Sequence, residues 1–439
     1  MSTLNQIKKE IQKENVSFVY LQFSDLTGQL KNVVVDAGRI GEVIENGVWF
    51  DGSSVEGFAR IAESDMLLKP DRNTFAVIPW SPPERRSARM ICDIYRPSGR
   101  KLTTDPRTIL KTQIDKLKKM GFSYFTGAEV EFYLIEREFL PEIRPHDRKS
   151  YFDYTPHSRA STICESTMKT IAAFGAIGET HHHEVGKGQH EIDLRYDQAT
   201  KTADNIMTLK MALKAHANGS GLKVTWMPKP IFNFPGNGMH IHQSLWKNNK
   251  NIFYDPKSDY SLSKISQYFL AGQLSHAKAI SAIVSPTVNS YKRLVPGFEA
   301  PVYICWGQNN RSALIRIPKV PKEKAHQSTR MEYRAPDPSA NPYLAFAALL
   351  AAGMDGIEKK ILPPKPADDN VYFFRERKLA REKIETLPTT LKEAIDALEQ
   401  DQVISSIFGA GKDQFLEIKR QEWKEFSCQV SSWEIEKYL

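Results

Sequence analysis

Cysteine is scarce in this chain, and what there is shows no pairing pattern: Cys92, Cys164, Cys305 and Cys428 lie far apart with no Cys-x-x-Cys spacing. That excludes a disulfide framework or a zinc knuckle and suits a reducing compartment. Long apolar runs are missing too. The most apolar stretch, PYLAFAALLAAGM from Pro342, is too short to cross a bilayer and reads as a buried helix opened by Pro342. The N-terminal stretch MSTLNQIKKEIQKEN lacks the apolar core of a signal peptide. It places Leu4, Ile7 and Ile11 at helical spacing, so the expectation is an amphipathic helix in a protein that stays in the cytoplasm. There is no internal repeat, no low-complexity tract, no Walker phosphate loop and no kinase glycine loop. Charge of one sign is only slightly in excess, with 60 Lys and Arg against 52 Asp and Glu and a net +8. Much of that excess sits in mixed-charge helices and in PKVPKEKAHQ rather than in a basic stripe with aromatic interleaving, so neither nucleic acid nor membrane is an expected partner.

What is present is enough for two domains, since 439 residues with 41% hydrophobic content exceed the usual limit for one core. After the first helix, VSFVYLQFSDL and QLKNVVVDA read as strands joined by a Thr-Gly turn, and TFAVIPW and SARMICDIY as further short strands. These make a small mixed-sheet domain over residues 1–99. From residue 102 to 439 helices alternate with polar-faced strands, beginning with DPRTILKTQIDKLKKMGF, a capped helix with Pro106 in its first turn. Polar loops are expected at PEIRPHDRKS, KNNKNIFYDPKSD, PKVPKEKAHQST and PPKPADDN.

Four strand patterns carry chemistry. GMHIHQSLW puts His240, His242, Ser244 and Trp246 on one face and Met239, Ile241, Gln243 and Leu245 on the other. Alone, this reads first as a hydrogen-bonded histidine pair on a structural strand. GAEVEFYL sets Glu129 and Glu131 side by side opposite Ala128, Val130, Phe132 and Leu134, and two such carboxylates repel unless a cation lies between them. HHHEVGKGQHEIDLRY supplies Glu184, then Glu191 with Asp193 and Arg195 on its face. RMEYRAPDP supplies Glu332 and Arg334. Carboxylates are rarely buried unpaired, so this many on inward strand faces imply a charged channel. Glu129, Glu131, Glu184, Glu191, Glu332 and His240 are mostly oxygen donors, a set suited to Mg²⁺ or Mn²⁺ rather than zinc or copper. An ion pair with a neighbouring arginine is the alternative for any one of them.

The run NSYKRLVPGFEAPVYICWGQNNRSALIRIP adds Arg293, Glu299, Arg311 and Arg316. Guanidinium groups bind carboxylates and phosphates bidentately, so arginines beside divalent-metal ligands point to phosphoryl chemistry. In the small domain, DGSSVEGF forms a polar turn that presents Asp51 outward as a general base or cation binder.

Taken together, DGSSVEGF, GAEVEFYL, HHHEV with GQHEID, GMHIHQSL, VNSYKRLVPGFEAP, NRSALIRIP and EYRAPDPSANPY follow one another in the order and approximate spacing of type I glutamine synthetase. The chain resembles that family over nearly its whole length. The resemblance implies an α+β fold: a small β-grasp-like N-terminal domain and a large catalytic domain whose curved antiparallel sheet, flanked by helices, lines a tapered cavity. It implies a homo-oligomer, a dodecamer of two hexameric rings with active sites between adjacent subunits, so that Asp51 completes the neighbour's site. The terminal SWEIEKYL resembles the segment that contacts the opposite ring. ATP and two or more Mg²⁺ or Mn²⁺ ions per subunit are the implied cofactors, glutamate and ammonium the substrates, and a nitrogen-regulatory protein a further partner that the resemblance admits.

Carried over residue by residue, Glu131, Glu184 and Glu191 would hold one metal, and Glu129, His240 and Glu332 the other. Tyr196, His242, Ser244, Arg311, Arg316 and Arg330 match ATP contacts, and Gly236, Arg293, Glu299, Arg311 and Arg334 match glutamate contacts. Asp51, Ser54, Tyr151 and Glu184 match the ammonium pocket. The implied reaction activates the γ-carboxylate of glutamate as γ-glutamyl phosphate, which ammonia then attacks. Asp51 would aid deprotonation of ammonium, Arg311 would contact the phosphate, and Glu299 would exclude water and take a proton from the adduct. The chain departs from the family at Pro235-Gly236-Asn237-Gly238, where an Asn-Gly-Ser-Gly loop is usual and Pro235 has no N–H to donate. Variant loops of this kind occur in relatives that ligate glutamate to alkylamines or polyamines, which is the rival expectation; a structural relative without catalysis would have lost a metal ligand, and none is missing. Tyr372 is followed by Phe-Phe rather than Asp-Leu-Pro, so the non-adenylylated (alpha) subtype is expected, and Arg60 matches a position linked to feedback control.

Overall fold

The computed structural model describes residues 3–53, 55, 65–297, 300–308, 310, 312–369, 371–374 and 376–439. Ser54, Arg60, Glu299 and Arg311, all expected at functional positions, lie outside the described residues. The first helix runs Leu4–Lys13. Its cap Thr3 accepts the Gln6 N–H while the Gln6 side chain accepts the Thr3 N–H, satisfying two free donors at the helix start.

Six strands follow: β1 (Phe18–Ser24), β2 (Leu30–Asp36), β3 (Val48–Asp51), β4 (Asp65–Pro70), β5 (Ala76–Val77) and β6 (Ser87–Tyr95). They lie in the order β2-β1-β6-β4-β3, with β5 added to β6. β1 and β2 form the expected antiparallel hairpin, and β1 runs parallel to β6. Ile7 of the first helix and Ile40 and Val43 of a second, Ile40–Asn46, pack with Val19, Leu21, Met90 and Ile94 into one core. β3 occupies the outer edge of this sheet and ends at Asp51.

A second sheet of nine described strands carries the polar faces: β7 (Ser123–Glu136), β8 (Gly178–His183), β9 (Gln189–Gln198), β10 (Leu222–Thr225), β11 (Met239–Lys247), β12 (Lys250–Asn251), β13 (Tyr303–Gly307), β14 (Ala313–Arg316) and β15 (Met331–Tyr333). The order is β13-β14-β15-β11-β7-β9-β8, with β10 on β7 and β12 on β11. One pair, β13 with β14, runs parallel, which corrects the expectation of a wholly antiparallel sheet. Side-chain alternation marks a strand but is blind to its direction. Two expected loops also contain structure. Asn248 and Asn249, both at positive φ, close a two-residue hairpin between β11 and β12. PKVPKEKAHQST winds into a 3₁₀ turn, Lys322–Lys324, and a short helix, Ala325–Ser328.

The apolar face of β7, with Ala128, Val130, Phe132 and Leu134 all essentially inaccessible, packs under the helix Ala199–Gly219. Burying each large side chain contributes about 1.5–3 kcal/mol. The helix Pro342–Lys359 opens at Pro342 as expected, with Asn341 accepting the Tyr343 and Leu344 N–H groups, and packs against Lys264–Ser275 and Pro106–Lys119. One amide breaks the apolar face of β11. Gln243 is buried, accepting the Tyr124 hydroxyl at 2.7 Å and exchanging hydrogen bonds with the buried Gln273 at 2.7 and 3.2 Å. Arg107 joins the two sheets' surroundings, binding Asp93 at 2.7 Å, Asp71 at 2.9 Å and Asp204 at 3.0 Å.

His276 is gripped at both nitrogens, with Nδ1 2.6 Å from Asp401 and Nε2 3.2 Å from Asp355. Burial works against its charge, but the two carboxylates outweigh that and raise its pKa above 6.5. A raised folded pKa means that the stabilisation is full below the unfolded value and is lost as pH rises through the folded one. His276→Gln should therefore lower the urea-unfolding free energy by about 2 kcal/mol at about pH 5.5 and by much less at about pH 9. An equal loss at both would refute the charged contact.

Candidate active site

Register brings the polar side chains together. Across adjacent strands His240 faces Glu129 and Glu129 faces Asp193; Glu131 faces Glu191, and Glu191 faces His182. On the other flank His242 faces Glu332, which faces Arg316. Because side chains alternate with period two, these rungs present every one of these groups from the same side of the sheet.

Three donor groups result, each with its ligand atoms within 4.8 Å of one another: Glu129 with His240 and Glu332, Glu131 with Glu191 and His240, and His182 with Glu184 and Glu191. Glu129 sits between both histidines, 3.0 Å from His240 Nδ1 and 2.7 Å from His242 Nε2. Although burial opposes it, the positive potential of His242 and His240 holds the Glu129 carboxyl well below the usual range. Glu332 is fully buried, bound by Arg334 and, at 2.8 Å, by Arg316. Burial opposes its charge, and Arg334 and His242 outweigh it to lower its pKa. Glu191 goes the other way, pushed up to about 11 by burial and by the charges of Glu131, Glu129, Asp193 and Glu184. Acids crowded this closely fit a divalent cation, which relieves their repulsion through hard oxygen ligands.

The expected set of Glu129, His240 and Glu332 is thus assembled as one group. The other set is assembled differently: Glu131 and Glu184 share Glu191 as a neighbour, but Glu184 closes its group through His182. His182 was not among the expected residues. It lies 3.1 Å from Glu191 and 3.4 Å from Glu184. Gln189 was missed as well; its amide donates to Glu131 at 3.2 Å, to the Gly236 carbonyl at 3.0 Å and to Asn237 at 3.1 Å. Both share the strand parity of Glu184, Glu191 and Asp193, so extending the same alternation by one step in each strand finds them.

A cavity of about 310 Å³ beside this row is lined by Tyr196, His242, Ser244 and Arg330, together with Phe125 and Glu129. Arg330 Nε donates to His242 Nδ1 at 3.1 Å. Arg316 is held on Glu332 and does not line the cavity. At the other end, Arg293 is buried and donates to the carbonyls of Ala335 at 2.7 Å and Arg334 at 3.1 Å. The divergent loop closes against it. A Cβ at Gly236 would come 2.5 Å from the Pro228 carbonyl and 2.7 Å from Arg293 Cγ, and one at Gly238 within 2.8 Å of His240 Nε2. Only glycine lets this backbone pass. Gly238 donates its N–H to Glu131 at 2.7 Å, and buried Asn237 donates to the Met227 carbonyl at 2.9 Å. The Pro235 carbonyl accepts the Tyr133 hydroxyl at 2.7 Å.

Tyr151 is exposed, with its ring edge-on to His182 at 5.7 Å. Asp51 is exposed at the end of β3, its carboxylate accepting the Ser53 N–H at 2.8 Å, and Ser53 holds its pKa below the usual range. None of the donor groups among the described residues includes Asp51.

A small mixed-sheet domain set against a large sheet whose strands line up carboxylates, imidazoles and arginines defines a metal-dependent, phosphate-handling enzyme. Residues 15–97 match the model of the glutamine synthetase β-grasp domain and residues 103–438 that of the glutamine synthetase catalytic domain. The chain belongs to the glutamine synthetase family, type I. Among its relatives, the glutamine synthetase of Thermotoga maritima is 47% identical over 100% of this chain and 99% of the relative, and that of Thermus thermophilus 46% identical over 100% and 99%. Among solved structures, GmaS in complex with ADP superimposes with a TM-score of 0.89 at 32% identity, covering 98% of this chain and 99% of that one. Plasmodium falciparum glutamine synthetase superimposes with a TM-score of 0.88 at 26% identity, covering 100% and 99%.

Proposed function

We propose that this chain joins ammonia to the γ-carboxylate of L-glutamate, using ATP and divalent metal ions and passing through γ-glutamyl phosphate to glutamine, ADP and phosphate. The observation that carries the reading is the row of three overlapping donor groups along β15, β11, β7, β9 and β8, flanked by arginines. Full-length relatives at 46–47% identity named glutamine synthetase support ammonia as the amine.

In this reading Glu129, His240 and Glu332 hold one metal, and Glu131, Glu184 and Glu191 a second. When bound, the cations neutralise charge on the transferring phosphoryl group and its neighbours. Arg330, His242, Ser244 and Tyr196 position the nucleotide in the adjoining cavity, and Arg311 and Arg316 meet the phosphates. Gly236, Arg293, Arg334 and Glu299 orient glutamate. Arg334 also fixes Glu332. Asp51, Ser54, Tyr151 and Glu184 form the ammonium pocket, where a carboxylate both attracts the cation and favours its deprotonation. Glu299 shields the acyl phosphate from water.

The family forms homo-oligomers. We assign this chain a dodecamer of paired hexameric rings, supported by the apolar Trp49, Val430, Trp433, Ile435 and Leu439, all exposed in the single subunit. The division into residues 1–99 and 102–439 is supported by two separate large hydrophobic clusters. The non-adenylylated subtype is supported by the Phe-Phe that follows Tyr372 in place of Asp-Leu-Pro. Feedback control through Arg60 and contact with a nitrogen-regulatory protein follow from that subtype. Among the described residues no helix is long and apolar enough to cross a membrane, in keeping with a cytoplasmic location.

With glutamate and ATP present, ammonium should drive phosphate release at least about tenfold faster than methylamine or putrescine, a discrimination of about 1.4 kcal/mol. Faster release with either amine would replace ammonia by that amine.

A further inference from the structure

Behind the carboxylate row, on the opposite parity of the same two strands, lies a second group of metal-binding side chains. His183 and His190 face each other across β8 and β9. The loop after β7 brings two more groups against them: Glu136 N–H bonds the Arg144 carbonyl at 2.9 Å and His146 N–H the Leu134 carbonyl at 3.2 Å, so the segment runs along the end of β7 as an added edge. His146 Nε2 and His190 Nε2 stand 2.9 Å apart, and His146 Nε2 is 3.4 Å from Asp147 Oδ2. One ligand atom each from His146, Asp147 and His190 fall within 4.8 Å of one another.

We infer that His146, Asp147 and His190 form a zinc-type cation site separate from the catalytic row. Ligands 2.0–2.2 Å from a tetrahedral centre are separated from each other by about 3.3–3.6 Å; the 3.4 Å separation falls in that range, and the 2.9 Å separation opens to it with a shift of a few tenths of an ångström. The surroundings are those of a supported site. The other Asp147 oxygen, Oδ1, accepts the Gly188 N–H at 2.9 Å and lies 3.2 Å from His183 Nε2, leaving Oδ2 for the cation. His183 Nδ1 in turn meets the Glu184 carbonyl at 2.7 Å, fixing the ring that orients the carboxylate. The His146 and His183 side chains are nearly inaccessible, with exposures of 3% and 1%. Two imidazoles with one carboxylate select a borderline cation such as Zn²⁺ over Mg²⁺, which prefers oxygen. A cation there ties the outer loop to the strand pair that carries Glu184 and Glu191.

The test is a zinc titration against a chromophoric chelator, on the chelator-stripped full-length protein in excess Mg²⁺, which fills the oxygen-rich catalytic groups. Wild type should retain one tight zinc per subunit. His146→Asn and, as a second variant, Asp147→Asn should weaken it by at least about tenfold, while Glu129→Gln should leave it unchanged. His146→Asn should keep Mg²⁺-supported glutamine formation. Absence of tight zinc in wild type, equal zinc affinity in wild type and both variants, or its loss in Glu129→Gln alone would overturn the assignment. The last result would place the zinc in the catalytic row.

Discussion

Glu129→Gln should cut the rate of glutamine formation by about a thousandfold, equivalent to about 4 kcal/mol of transition-state stabilisation. The substitution preserves size and shape while removing the charge and one of the two acceptor oxygens. That charge is the hub of the row: it contacts His240 at 3.0 Å and His242 at 2.7 Å and faces Asp193 across the strand pair. Its carboxyl is held well below the usual range, with the histidines overcoming burial, so it is ionised throughout the neutral range. An amide in its place donates as well as accepts, and it offers one neutral oxygen where a cation needs a charged one. The same variant should lose about one divalent-ion site per subunit in a Mn²⁺ titration, since Glu129, His240 and Glu332 form a three-ligand group. Activity within tenfold of wild type would remove Glu129 from the metal set. An unchanged Mn²⁺ stoichiometry would separate its electrostatic role from ligation.

Asp51→Ala should nearly abolish glutamine formation while leaving ATP binding intact. Asp51 lies at the end of an exposed edge strand in the small domain, outside every donor group of the row, so its contribution is expected in the site of the neighbouring subunit. Two inactive variants can then repair each other. If Asp51→Ala and Glu129→Gln subunits are dissociated, mixed equally and reassembled, about a quarter of the shared sites receive both intact residues, and activity should return to about that fraction. Failure to complement, with assembly verified, would place Asp51 in its own subunit's chemistry or in none. Wild-type-like activity of Asp51→Ala would overturn the role altogether.

Much of this site was legible because strand alternation is a strong local signal. Glu129, Glu131, Glu191, Glu332, His240 and His242 all fell on the faces their spacing assigned. Pairing is a different matter, since sequence spacing does not say which strand lies beside which. The contact of His182 with Glu191 depends on β8 lying against β9, and the buried clamp of Arg293 on the Ala335 and Arg334 carbonyls on a meeting of distant segments. The direction of β14 relative to β13 was equally invisible, because a strand's side-chain pattern reads the same both ways. Around Pro235 the loop is held by hydrogen bonds from Asn237, Gln189 and Tyr133, none of which sequence spacing reveals.

The buried amide of Gln243 acts as a key for alignment. A strand that slips by one residue turns its whole polar face inward, and an all-apolar inner face would resist shorter and longer slips only through shape. Gln243 resists by direction as well, since only one position meets both the Tyr124 hydroxyl and the Gln273 amide, and any other strands an unsatisfied amide at a cost of about 1–3 kcal/mol. The placement of His240 opposite Glu129, and of His242 opposite Glu332, is thus set from the far side of the sheet by a side chain held on Tyr124 and Gln273 rather than on the carboxylate row.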